Sequence, residues 1–199
     1  MFKMSQEIQE ILTKESGKGT IYLSDFTKHF GSRSVAFIIA LLALPIALPF
    51  TPPGINTPFA VACILLSFNL ILNKKEFKLP DFIEKRKLPF KPDGKFFSAM
   101  TKMLNWIEKI IKPRMAWVVE SRLSLPLLGL GLLCASIVML IPLPIINSLS
   151  SLIVLLIALG ILSKDGLVAL VSSVSGVLLL LVSLGIIIYG VWLGQSFFS

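Results

Sequence analysis

The sequence predicts an all-α integral membrane protein. It consists of two duplicated, proline-broken helical hairpins, a basic amphipathic interfacial helix between them, and one long C-terminal transmembrane helix. Three observations carry this expectation. The first is composition: 55% of the 199 residues are hydrophobic, 15% are charged, and the mean hydropathy is +0.85. Soluble domains are nearer about 45–50% apolar and about 25% charged. The second is that the apolar residues gather into uncharged runs approaching membrane thickness. The third is that two proline-rich breaks interrupt those runs in matching fashion, "LPFTPPGINTPF" at 48–59 and "IPLPIINSLSS" at 141–151.

Residues 1–33 read as a polar cytoplasmic or interfacial cap. "SQEIQEILTK" places Ile8, Ile11 and Leu12 on one face of a short amphipathic helix. No secretory leader is read here, because the first 30 residues have no apolar core. The first apolar segment is therefore expected to act as its own insertion signal.

Residues 34–72 form hairpin repeat 1. Its arms, 34–49 and 57–72, are each about 24 Å long, short of the roughly 30 Å hydrocarbon core. Pro45 bends the first arm, and the turn between the arms holds Pro49, Pro53, Gly54 and Asn56. The hairpin either spans fully or is re-entrant.

Residues 73–122 are a polar middle segment with 13 Lys and Arg against six acids. Within it, 95–118 has apolar residues at helical spacing and Lys95, Lys102 and Lys109 every seven. That pattern is a basic amphipathic helix, lying on anionic headgroups or packed on the protein's own hairpins.

Residues 123–163 form hairpin repeat 2, with arms 123–141 and 148–162 around Pro142, Pro144 and Asn147. Residues 164–199 hold the long final helix, whose apolar stretch 167–194 is about 42 Å long and spans with tilt. Its glycines and serines suit close helix packing.

A shift of 91 residues lays Pro53, Ile55 and Asn56–Thr57 on Pro144, Ile146 and Asn147–Ser148. The same shift lays "CILLSFNLILNKK" on "VLLIALGILSKDG". An arginine, Arg33 or Arg122, precedes each hairpin. This is the pattern of an internal duplication. The two asparagines sit where the second arms start. There they serve as N-caps, or they line a polar cavity where two helix N-termini face an anion.

The net charge of +8 would point to nucleic acid in a soluble chain. Here Lys and Arg flank the apolar runs, so they set topology instead. The N-terminus and the central loop are expected in the cytoplasm, which leaves the C-terminus outside and the repeats parallel. Arg33, Arg114, Arg122 and Lys164 at the hairpin feet are candidate anion contacts, or topology anchors alone.

No metal or cofactor is expected. His29 is isolated, and Cys63 and Cys134 lie in apolar tracts as small hydrophobes. No Asp, Glu, His, Lys or Arg falls between 34 and 72 or between 123 and 163. Intramembrane enzyme chemistry needs such groups, so no catalysis is expected. Asp165 is read as part of a solvated turn.

The stretches "IYLSDFTKHFGSRSVAFIIALLALPIALPFTPPGINT", "KPRMAW" and "IPLPIINSLSSLIVLLIALGILSKDGL" resemble, in order and spacing, the exopolysaccharide synthesis ExoD family of bacterial membrane proteins. Ile146 stands where that family often has glycine, and Gly31–Ser32 stand where it often has acids. The resemblance implies a multi-pass protein of the bacterial inner membrane acting in exopolysaccharide production or export.

Two functions are carried forward. One is a transporter or flippase-like protein for an anionic lipid-linked carrier, such as a polyprenyl phosphate. The other is a non-catalytic accessory subunit of a polysaccharide synthase or export complex. The expected partners are the lipid bilayer with its anionic headgroups, the polysaccharide machinery, and a second copy in a homo-oligomer.

Overall fold

A computed structural model describes residues 34–47, 56–72, 111–141 and 144–198, together with Lys102, Asn105 and Lys109. The predicted cap 1–33 and the breaks at 48–55 and 142–143 lie outside the described residues. The described residues form six helices and no strand: α1 Ser34–Ile46, α2 Asn56–Ile71, α3 Ala116–Glu120, α4 Ser124–Val138, α5 Pro144–Leu162 and α6 Gly166–Phe198.

The helix α1 has six consecutive buried residues, Val35 to Ala40, so it is enclosed on every side. An all-apolar sequence without a polar face is suited to burial all round. It packs most extensively on α5, while α2 packs most extensively on α4. Further contacts join α1 to α2 and α4 to α5, closing a ring in the order α1, α2, α4, α5. A Cβ on Gly129 of α4 would press on Leu70 and Ile71. The end of α2 therefore meets the start of α4, and the two run antiparallel.

The buried stripe of α2 comprises Asn56, Ala60, Cys63, Leu66, Ser67 and Leu70. Shifted by 91, it becomes Asn147, Ser151, Val154, Ile157, Ala158 and Ile161, and all six are buried in α5. The α2 stripe has the spacing of one helix face, whereas α5 is also buried at Ser150, Ile153, Leu155, Leu159 and Leu162.

The final helix covers the ring from outside, against α4 and α5. It approaches α4 closely because a Cβ at Gly131 would collide with Ser173, and one at Gly176 would press on the Gly131 carbonyl. The Ser173 hydroxyl donates to the Leu127 carbonyl at 3.2 Å. Leu179 still packs on the core and Ser183 is buried; beyond Ser183 α6 runs free. From Leu184 to Trp192 every residue is exposed, and Tyr189 stacks on Trp192 at 6.2 Å. Both α5 and α6 are long and apolar enough to cross a membrane. In α5 67% of that stretch is buried, against 28% in α6.

Three element boundaries differ from expectation. Residues 111–115 are not helical, so no single helix runs from 95 to 118. Pro113 explains the break, since proline lacks the N–H and disfavours helix at the residue before it. Lys102, Asn105 and Lys109 are helical and exposed. The helix α4 ends at Val138 rather than 141. The helix α5 starts at Pro144 rather than 148, because proline at a first helical position gives up an N–H that needs no partner.

Candidate functional site

Two polar clusters mark opposite ends of the bundle. Asn147 and Asp165 are 18 residues apart along α5 and its C-terminal turn, so the clusters are about 27 Å apart.

At one end, the foot, the chain leaves α5 and enters α6. Lys164 has φ 56°, a left-handed conformation that costs a side-chain-bearing residue something. It lets the Asp165 N–H donate to the Gly160 carbonyl at 2.8 Å and the Lys164 N–H donate to the Ile161 carbonyl at 3.4 Å. That is the paired bonding of a Schellman end.

Asp165 is 1% exposed. Its Oδ1 accepts from the Val168 N–H at 3.2 Å, capping α6. Its Oδ2 accepts from the Lys112 N–H at 2.9 Å. The Gly166 N–H donates to the Arg114 carbonyl at 2.7 Å. A Cβ on Gly166 would collide with the Met115 carbonyl and crowd Val118, so this position accepts only glycine. Sequence reasoning missed this clasp. The solvated turn expected at Asp165 is a buried junction, because the non-helical segment after Ile111 folds over it. An Asp-Gly pair just ahead of a long apolar run is an N-cap signal that points to the capping half of the role.

Of the predicted anion contacts, Arg114 and Arg122 are exposed at this end. Lys164 lies 2.6 Å from Glu120 in an exposed ion pair, so its charge is compensated. Arg33 lies outside the described residues.

At the other end, the tip, α2 and α5 begin. Asn56 is the first residue of α2 and Asn147 the fourth of α5, 6% and 7% exposed respectively. Among the described residues, the buried side-chain polar atoms without a hydrogen-bond partner are Asn56 Oδ1 and Asn147 Oδ1. Neither amide oxygen therefore caps a helix, and the capping reading is corrected. For Asn147 the reason is the early start at Pro144, which draws the asparagine into the first turn. The neighbouring buried serines are satisfied. Ser150 donates to the Ala135 carbonyl at 3.0 Å and Ser151 to the Ser148 carbonyl at 3.0 Å. Pro49, Pro53, Gly54 and Pro142 lie outside the described residues, and Pro144 opens α5.

The described residues thus form an apolar helical bundle with exposed arginines at its foot and two buried amides whose oxygens are unpartnered at its tip. Among the described residues no three His, Cys, Asp or Glu side chains group together. Residues 4–185 match the family described as "Exopolysaccharide synthesis, ExoD", and the chain belongs to that family. It is 29% identical over 168 residues to an uncharacterized protein of Synechocystis sp. (strain ATCC 27184 / PCC 6803 / Kazusa), covering 84% of this chain and 79% of that one. It is 28% identical over 151 residues to Protein ExoD of Rhizobium meliloti (strain 1021), covering 74% of this chain and 62% of that one. No solved structure matches the chain significantly.

Proposed function

We propose that this chain is a multi-pass inner-membrane protein of exopolysaccharide synthesis or export. In this reading its hairpins are re-entrant duplicates, and it translocates an anionic lipid-linked carrier such as a polyprenyl phosphate. The observation that carries the reading is the pair of unpartnered, buried amide oxygens on Asn56 and Asn147, which the shift of 91 residues pairs. An unsatisfied buried polar group costs about 1–3 kcal/mol. Two such oxygens, one at the start of each of two helices, are acceptors that a ligand would satisfy.

The ring packing supports the duplication. Exchanging α1 with α4 and α2 with α5 turns the α1–α5 contact into the α4–α2 contact. The bare apolar end of α6 supports membrane integration, since a large exposed apolar surface needs lipid or protein against it.

Lengths support re-entrance. From Gly166 to Trp192, α6 covers about 40 Å, whereas α2 and α4 cover about 24 and 22 Å. With all feet at the cytoplasmic face, α2 and α4 stop inside the hydrocarbon, whereas α5, at about 28 Å, reaches nearly across it. Backbone that is not helical at that depth must face protein or a wet cavity.

The exposed Arg114 and Arg122 supply guanidinium forks for a phosphate at the foot. The buried carboxylate among the described residues is Asp165, and both its oxygens are committed to main-chain amides. This supports a non-catalytic protein.

Labelling of single cysteines at Pro53→Cys, Asn56→Cys, Pro144→Cys and Asn147→Cys, from each membrane side in a Cys-free background, tests the arrangement. Access at all four for small reagents alone is expected. Full labelling from outside would leave no submerged cavity and would sink the transport reading.

The accessory reading has one observation in its favour. Lys102, Asn105 and Lys109 are exposed on helical backbone, a basic face available to a larger complex. It predicts stable co-purification with polysaccharide machinery after mild solubilisation, where a clean monomer or homodimer counts against it.

A further inference from the structure

We infer that the strap 112–123 at the foot docks on anionic phospholipid, with Arg114 and Arg122 at the headgroup phosphates and Trp117 and Leu123 in the shallow acyl layer. The inference rests on the membrane-integrated reading above, not on translocation. It names the bilayer's own lipids as the anionic partner of the foot.

The fold turns this strap outward. Ile111, Val118 and Val119 are buried. The Lys112 N–H and the Arg114 carbonyl are tied to Asp165 and Gly166. What remains faces out. Lys112, Arg114 and Arg122 are exposed, and no acidic side chain pairs with them among the described residues. The acid on the strap, Glu120, is held by Lys164. Among these cations stand Met115, Trp117 and Leu123, the last two 64% and 83% exposed. Cations alone would suit any anion in water. Large bare apolar side chains beside them need a partner that is charged at one depth and apolar a few ångströms further in. The edge of an anionic leaflet has that layering, whereas free phosphate has only charge.

The height of the strap agrees with such an edge. Leu123, Leu127 and Leu130 are exposed at the spacing of one helix face. Arg122 therefore stands just before an apolar stripe that climbs α4. The far end of α6 gives a second measure. A Cβ on Gly166 would meet the Met115 carbonyl and Val118, which sets the strap level with the start of α6. Tyr189 and Trp192 lie 23 and 26 residues further along that helix, about 35 and 39 Å away. Aromatic residues at that separation bracket a hydrocarbon core of about 30 Å and reach both headgroup layers.

The test uses the full chain in a non-ionic detergent and three water-soluble probes: dihexanoyl phosphatidylglycerol, dihexanoyl phosphatidylcholine and inorganic phosphate. Thermal stabilisation is titrated for the wild type, the Arg114→Gln/Arg122→Gln variant and the Trp117→Ala/Leu123→Ala variant. All four side chains are exposed, so both variants should melt like the wild type before lipid is added. Phosphatidylglycerol is expected to stabilise the wild type at lower concentration than phosphatidylcholine, and high salt should remove most of that difference. Each cation near an anionic surface contributes about fivefold in affinity. The half-maximal phosphatidylglycerol concentration should therefore rise about twentyfold in the arginine variant, with the phosphatidylcholine response unchanged. The apolar variant should weaken both lipids.

Equal stabilisation by the two lipids overturns the inference and leaves the membrane reading standing. So does phosphatidylglycerol stabilisation that is unchanged in the arginine variant. Inorganic phosphate acting as strongly as phosphatidylglycerol, through the same arginines, would make the foot a site for a free anion and also overturns it. Full phosphatidylglycerol affinity in the apolar variant would point to an acidic protein surface instead of a leaflet, and the inference falls. If neither lipid stabilises the wild type, the membrane reading falls with it.

Discussion

The foot and the tip of this bundle both bury polar side chains, and they treat them in opposite ways. At the foot Asp165 is almost fully enclosed, and each carboxylate oxygen accepts a main-chain N–H. At the tip Asn56 and Asn147 are nearly as enclosed, and each has an oxygen that accepts nothing. A satisfied buried group holds a structure together, whereas an unsatisfied one is a standing cost that function must explain. Burial therefore does not separate architecture from site. Hydrogen-bond completion does.

The contrast can be broken most forcefully at the foot. Asp165→Ala strands the Lys112 and Val168 amides and removes the α6 cap. The expected loss is about 2–4 kcal/mol, read as a lower melting temperature and poor accumulation. An Asp165→Asn variant that keeps one acceptor should lose less.

Gly166→Ala attacks the same junction through space rather than hydrogen bonding. Its methyl group would be driven against the Met115 carbonyl, and about 1–3 kcal/mol should be lost.

The tip should answer with the opposite sign. Asn56→Leu with Asn147→Leu removes two orphaned acceptors, so stability should hold or rise by about 1–2 kcal/mol, read as an unchanged or higher melting temperature. Polysaccharide output in cells should fall at the same time. A double variant that is both destabilised and active would erase the distinction between the two ends.

The smallest effect belongs to Glu120→Gln, which opens the exposed Lys164 ion pair. Less than about 1 kcal/mol is expected, and phosphate binding at the foot should improve if Lys164 is then free to join it.

Most helix positions are legible in the sequence. Uncharged runs and proline breaks place α1, α2, α5 and α6 to within a few residues. The shift of 91 pairs Asn56 with Asn147 from the order of residues alone. What the sequence hides depends on contacts between distant segments. The enclosure of Asp165 requires the Lys112 amide, 53 residues away, and no local pattern announces it. The failure of the two asparagines to cap is hidden for a different reason. Asparagine at a helix start is a good cap by rule, and only the observed start at Pro144 shows that Asn147 lies one turn too deep. The break after Ile111 is legible in Pro113, but the regular lysine spacing masks it.

The clasp at Asp165 also sets an order of events during synthesis. The Lys112 amide and the Arg114 carbonyl leave the ribosome before α4 and α5 are made, and their partners arrive only with the first turn of α6. Until then the second hairpin is an open arm whose base is tied to nothing. Once residues 165–168 emerge, two main-chain amides and one carboxylate close the loop around α3, α4 and α5, much as a crosslink would. The final helix therefore acts as the latch that completes the hairpin before it, as well as its outer wall.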